Sequence, residues 1–274
     1  MKKLLTLFTF LFLYSSYSQK LTKDISLSKK IDETSGLEII DDQFITHNDS
    51  GGDPKLYYLD KKGKIVYERI LEGAKNNDWE DITKDEEFIY VANMGNNFDN
   101  RKNLSIFKIP IDPLKNKAEV IEFHYPEQVK FITSYGSSQY DAEALITIDD
   151  NLIILTKNKL KKITEIYALP KQAGKYEAKK IGSLNTQSII TGGDYDSKRK
   201  LLVLTATLSF NEYYILKIKD FTLKNKTNYK INMYEIPIGK TQVEAIKIID
   251  SNTFWITSED EKSSSSARLM KIEL

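Results

Sequence analysis

Short apolar runs closed by Asp, Asn, Gly or Lys follow one another along nearly the whole chain. Within them apolar and polar positions alternate with a period of two, which is the signature of β-strands with one or both faces covered. The strands fall into groups of four. The first group is predicted at 33–40, 44–47, 56–59 and 65–70, the second at 79–83, 88–92, 104–109 and 120–125. The third is predicted at 142–148, 152–156, 165–169 and 176–184, the fourth at 191–195, 201–205, 213–218 and 229–236. The fifth gives 243–249, 253–257 and 269–273, and is one strand short.

The groups are marked by a recurring pentad at the start of their first strands. Asp78-Trp79-Glu80-Asp81-Ile82 is the fullest copy, with Glu33-Thr34-Ser35-Gly36-Leu37, Asp141-Ala142-Glu143-Ala144-Leu145 and Gln242-Val243-Glu244-Ala245-Ile246 in the same frame, and Thr191-Gly192-Gly193-Asp194-Tyr195 a fainter one. The third positions, Ser35, Glu80, Glu143, Gly193 and Glu244, are separated by 45, 63, 50 and 51 residues. Repeats of this period build radial arrays or solenoids. A radial array must close or leave an unpaired edge, and the strand-like piece at 20–27 can supply the strand that the fifth group lacks. The expectation is therefore an all-β fold, a five-bladed β-propeller closed by pairing of the N-terminal strand with the C-terminal blade. A solenoid gives no reason for the missing strand. A six-bladed ring needs a sixth repeat that the sequence does not offer, and the long interval is read as an insertion around 127–139.

Residues 1–18 read as a signal peptide: Lys2 and Lys3, an apolar stretch too short to span a membrane, then Ser16 and Ser18 at small-residue cleavage positions. Residues 19–274 are then a single propeller domain, secreted or periplasmic, with no stable membrane anchor. The chain has no cysteine, so disulfides, thiolate chemistry and a lipid-modified cysteine are excluded. Without the leader, 38 basic residues face 39 acidic ones. That balance argues against a nucleic-acid partner, which needs a basic face. A monomer is expected.

In an up-and-down blade, the start of the first strand and the end of the second lie at the same end of the sheet. All five pentads should meet at one mouth, joined by Asn48 and Asp49, by Asn96, Asn97 and Arg101, by Lys157, and by Glu259. Two carboxylates about 6 Å apart at an effective dielectric of about 20 repel by roughly 3 kcal/mol, so Glu80, Glu143 and Glu244 require a cation, basic partners or raised pKa values. An all-oxygen donor set favours a hard cation, calcium ahead of magnesium, while zinc and copper are poor fits. The alternative is that each Glu caps backbone amides of its own blade.

The series Ser35, Glu80, Glu143, Glu244 resembles the axial calcium site of the calcium-activated nucleotidase (apyrase) family, five-bladed propellers that hold their metal with Ser and Glu; Tyr90-Val91-Ala92-Asn93-Met94-Gly95 is similar too. The resemblance implies Ser35, Glu80, Glu143 and Glu244 as metal ligands. The fourth blade departs, with Gly193 where an oxygen is expected and a backbone carbonyl or Thr191 as substitutes. Over most of its length the chain is also similar to a group of secreted bacterial propellers with Asn-Asp-Ser-Gly, Asp-Trp-Glu-Asp, Gly-Asn-Asn and Asp-Ala-Glu-Ala-Leu motifs, here at Asn48, Asp78, Gly95 and Asp141.

Two functions fit these features. In the first, the mouth hydrolyses a phosphorylated or otherwise anionic small molecule. Asp49 or Glu259 activates water, Arg101 and Lys157 balance charge, and Asn48, Asn96 and Asn97 contact the ligand. In the second, the chain is a ligand-binding or protein-interaction module with a purely structural cation. His47 beside Asp49 and Ser50 is read as part of a turn, because residues of one tight loop cannot adopt triad geometry, and Trp79 as packing between blades.

Overall fold

A computed structural model describes residues 19–134, 136–209, 212–223, 229–239, 241–260 and 266–274; the expected signal peptide lies outside the described residues. No helix among the described residues is long and apolar enough to cross a membrane.

The alternating runs form five sheets, each built on four antiparallel strands. Blade 1 comprises Thr34–Ile40, Gln43–Asn48, Lys55–Leu59 and Ile65–Ile70, and blade 2 comprises Asp81–Lys84, Phe88–Asn93, Leu104–Pro110 and Glu119–His124. Blade 3 comprises Ala142–Ile148, Asn151–Thr156, Thr164–Pro170 and Lys179–Leu184, and blade 4 comprises Ile189–Asp196, Leu201–Ser209, Glu212–Ile218 and Ile231–Glu235. Blade 5 takes Val243–Ile248, Thr253–Ser258 and Arg268–Glu273 from the end of the chain and Lys20–Ser26 from its beginning. The two ends pair antiparallel from Lys20 opposite Glu273 to Ser26 opposite Arg268. The first strand of each blade touches those of both neighbours, so the ring closes as a five-bladed propeller.

Because successive side chains of a strand face opposite sides, each blade can bury both faces, one against each neighbour. Five apolar clusters result, one per interface between blades. Trp79 is fully buried between blades 1 and 2, its indole nitrogen donating to the Lys75 carbonyl at 3.0 Å. His47 packs edge-on against it, ring centroids 5.4 Å apart, and burial lowers the imidazole to about 4. His47 is therefore a neutral core residue.

One expected strand is divided. The run 176–184 breaks at the buried Ala178: Lys179–Leu184 completes blade 3, while Gly174–Glu177 crosses to blade 2 and adds a fifth strand parallel to Glu119–His124. The pairing that divides it is long-range, so the local pattern does not show it.

Candidate functional site at the ring mouth

One backbone hydrogen bond recurs in four blades and fixes the mouth. The carbonyl of the pentad's first residue accepts the N–H of a residue just past the second strand: Glu33 from Asp49 at 2.9 Å, Asp78 from Gly95 at 3.2 Å, Asp141 from Lys157 at 2.7 Å and Gln242 from Glu259 at 2.9 Å. Asp49, Lys157 and Glu259 are thus equivalent, and all three line one cavity of about 300 Å³ at the mouth. Blade 2 has Gly95 there. A Cβ at Gly95 would lie 1.9 Å from Glu80 Oε1 and 2.4 Å from Asp78 Oδ2, so the missing side chain makes room for two carboxylates.

The pentad's third position is aimed by a bulge. The register of blade 3 skips between Ala142 and Ala144, that of blade 5 between Val243 and Ala245, and that of blade 4 between Ile190 and Gly192. The extra residues are Glu143, Glu244 and Thr191, and a bulge re-aims the residue that it leaves unpaired. In the fourth blade the equivalent is therefore Thr191 and not Gly193, a correction of two positions. Ser35, Glu80, Glu143, Thr191 and Glu244, one from each blade, all line the cavity. Ser35 and Thr191 also stitch neighbouring blades, donating to the carbonyls of Glu80 at 2.5 Å and Val243 at 2.6 Å.

The tightest acidic group is Glu80, Asp141 and Glu143. All three are buried, and one carboxylate oxygen from each lies within 4.8 Å of the others. Glu80 and Glu143 line the mouth cavity together with Glu244, Asp49, Asp78 and Glu259, while Asp141 lies buried behind it. Seven carboxylates are met by three cations: Lys157 Nζ is 2.7 Å from Glu143 Oε1, Lys159 Nζ is 3.1 Å from Asp141 Oδ2, and the Arg101 guanidinium is 3.9 Å from Asp78 Oδ2. The imbalance shows in the titrations. Burial first, then Glu143, Asp78 and Asp141, push Glu80 well above the ordinary carboxylate range. Burial and then Glu259 do the same to Glu244. Asp78 is raised to about 7 by burial and then Asp141, and Glu259 to about 8 by burial and then Asp49. Burial alone would lower Lys157, but Glu143, Asp141, Glu244 and Glu80 outweigh it and hold the ammonium well above its usual range.

Of the expected ligand-binding residues, Lys157 and Asn97 line the cavity, the Asn97 side-chain oxygen accepting from Lys159. Asn96 is buried behind it, its N–H donating to Asp141 Oδ1 at 2.7 Å. Asn48 is tied to the Lys30 carbonyl at 3.0 Å. Arg101 does not line the mouth. Its guanidinium donates to the carbonyls of Gly95 at 2.6 Å and Asn93 at 3.2 Å, and stands 3.9 Å from Asp78 Oδ2. The sequence reading missed Asp78, Asp141 and Lys159 as site residues. A signal existed for the two aspartates, since the pentad's first position is Glu, Asp, Asp and Gln in four copies. None existed for Lys159.

An all-oxygen set fits a hard cation. Calcium binds oxygens at about 2.3–2.6 Å, so two ligands of one ion lie up to about 5 Å apart, and the Glu80, Asp141 and Glu143 oxygens fall inside that span.

No protein-family model and no curated protein matches the sequence. Among solved structures, an exo-β-1,3-galactanase from Phanerochaete chrysosporium superimposes with a TM-score of 0.58 at 10% identity, over 93% of this chain and 64% of that one. The PQQ-bound aldose sugar dehydrogenase from Streptomyces coelicolor gives 0.51 at 9% identity, over 93% of this chain and 98% of that one. At such identities the likeness is one of fold, and a fold hosts many chemistries.

Proposed function

We propose that the mouth is a calcium-class cation site serving the hydrolysis of a phosphorylated or otherwise anionic small molecule. The observation that carries this reading is the buried group Glu80, Asp141 and Glu143, whose carboxylates are only partly balanced by Lys157 and Lys159. Glu80, Asp141 and Glu143 would hold the cation, with Glu244, Ser35 and Thr191 around it. The likeness of Ser35, Glu80, Glu143 and Glu244 to the calcium-activated nucleotidases supports the same assignment. When bound, such an ion supplies positive charge and polarises a substrate oxygen. An acid-rich mouth repels an anion, so substrate binding depends on that charge.

The chain's own residues divide the proton transfers. Glu259, raised to about 8 in the metal-free chain by burial and then Asp49, is the group suited to give a proton to a leaving oxygen; Gln242 donates to its Oε2 at 2.8 Å and orients it. Asp49, with a buried carboxylate oxygen that has no hydrogen-bond partner, is the group to take a proton from water. Lys157 and Lys159 position Glu143 and Asp141. Nucleoside di- and triphosphates, sugar phosphates and lactones assayed with calcium should reveal turnover. Glu259→Gln should lower it by about 10²–10⁴-fold with calcium binding retained. Equal turnover would remove Glu259 from the mechanism, and no turnover by either protein would remove the hydrolase and leave the second reading, a binding module with a structural cation. That reading is favoured by one observation, the prior commitment of Lys157, Lys159 and Arg101 to protein groups.

A pH dependence follows. Asp78 and Glu259 are raised in the folded chain. Such carboxyls contribute stability below their unfolded pKa, and this is lost as pH rises through the folded value. Without metal, the melting temperature should therefore fall between about pH 5 and pH 8. A cation that binds the ionised form should do the reverse. At a calcium concentration about 100 times the dissociation constant, the gain near pH 8 should be about 5–10 °C, and clearly smaller near pH 5. Melting curves with calcium and with chelator check both; a calcium effect independent of pH would contradict the assignment.

A further inference from the structure

We propose that a groove at the mouth-side end of blade 2, separate from the acidic cavity, is a second binding site, for a small aromatic anion. This inference stands apart from the cation reading. The groove has a volume of about 660 Å³, larger than the mouth cavity and within the range of small-molecule sites. Phe107 and Val120, on the blade-1 face of the two outer strands, give it an apolar floor.

Two features particular to blade 2 wall it in. One is the crossing strand Gly174–Glu177, the only fifth strand among the described residues, which brings Tyr176 to the groove. The other is the insertion between blades 2 and 3. It is tied to the loop that carries Arg101, with Gln128 Nε2 donating to the Asp99 carbonyl at 2.8 Å and Thr133 N–H to the Phe98 carbonyl at 3.0 Å, and it sets Phe131 into the wall. A void of about 610 Å³ lies at the corresponding edge of blade 4, but the crossing strand and the Phe131 segment wall only the one at blade 2 among the described residues.

The charge of the groove is opposite to that of the mouth. Lys75, Arg101, Lys102 and Lys175 line it against a single acid, Glu122. Glu122 is taken by Lys175 at 2.8 Å, and Arg101 by backbone carbonyls, which leaves Lys75 and Lys102 at the rim. Lys102 Nζ already stands 4.6 Å from the Phe131 ring centroid, a cation beside an aromatic wall. An aromatic ring fits the floor, and one negative charge at its edge meets the two lysines.

The probe is anilinonaphthalene sulfonate, titrated by fluorescence into the folded protein with and without calcium. One saturable site is expected. Lys75→Glu with Lys102→Glu should weaken binding at least about tenfold, and so should Phe131→Ser. These residues are exposed or half-buried, so an unchanged melting temperature and near-ultraviolet circular dichroism will show that the fold survives. The uncharged analogue phenylnaphthylamine should bind at least about tenfold more weakly than the sulfonate. No saturable binding, several equivalent sites, or equal affinity in the charge-reversed chain would overturn the proposal.

Discussion

A chain that begins at Ser28 is expected to melt about 10–20 °C below one that retains the N-terminal strand, or to accumulate insoluble. The deletion removes Lys20–Ser26, the outer strand of blade 5, together with Leu27, whose N–H donates to the Ala267 carbonyl at 2.7 Å. Leu27 is buried against blade 1, and Leu21 and Ile25 are partly buried. Full burial of such a side chain contributes roughly 1.5–3 kcal/mol. One complete and two partial burials, with the strand's hydrogen bonds, therefore amount to about 4–6 kcal/mol, against a total stability of about 5–15 kcal/mol. The loss also bares Arg268–Glu273 as an unpaired edge, which templates aggregation. Circular dichroism melts and soluble yield decide the matter; a truncated chain melting within about 2 °C of the intact one would show that closure contributes little.

Lys247→Met should cost about 3–5 kcal/mol near pH 8. Deeper along the axis than the mouth, Lys247 Nζ lies 2.8 Å from the Glu38 carboxylate and 3.0 Å from Asp194 Oδ1, joining blades 5, 1 and 4. Both acids are buried, and each also accepts a backbone N–H, Glu38 from Ile39 and Asp194 from Ile248, both at 2.8 Å. Without the ammonium, two carboxylates share a site with nothing to offset them. Burial already raises Glu38, and Lys247 is the largest influence holding it down. In the variant Glu38 should titrate higher still, so its stability should fall as pH rises from about 5 to 8. Replacing all three, with Glu38→Gln and Asp194→Asn added, should recover most of the loss, since neutral groups leave no unpaired charge. Urea midpoints across pH test this; a single variant within about 1 kcal/mol of the parent at pH 8 would refute it.

The ring was legible because its cause is local. Alternation marks each strand, the pentads mark each blade, and the strand missing from the fifth group points to the one left over at the N-terminus. Glu80, Glu143 and Glu244 were legible for the same reason: each copy places its Glu where the chain bends toward the axis. What escaped depends on distant parts of the chain. Gly174–Glu177 reads as the start of a longer strand until its pairing with blade 2 is known. Thr191 entered only as a substitute for Gly193 because the fourth pentad carries no Glu to anchor its frame, and only the bulge reveals the equivalence. Glu38, Asp194 and Lys247 each stand three residues after the mouth residue of their blade, but one is a Lys among acids and the fourth frame was displaced by two, so the recurrence stayed hidden. Arg101 shows the limit of placing a side chain by its loop: the backbone lies at the mouth, yet the guanidinium turns back to hold Asn93 and Gly95.

The proposed hard-cation site at the ring mouth is tested most directly by calorimetric titration of the metal-free protein with calcium, beside the Glu80→Gln, Glu143→Gln double variant. The expected result is one ion per chain, with binding weakened at least about 100-fold in the variant. No calcium bound at millimolar concentration, or equal binding by both proteins, would contradict it.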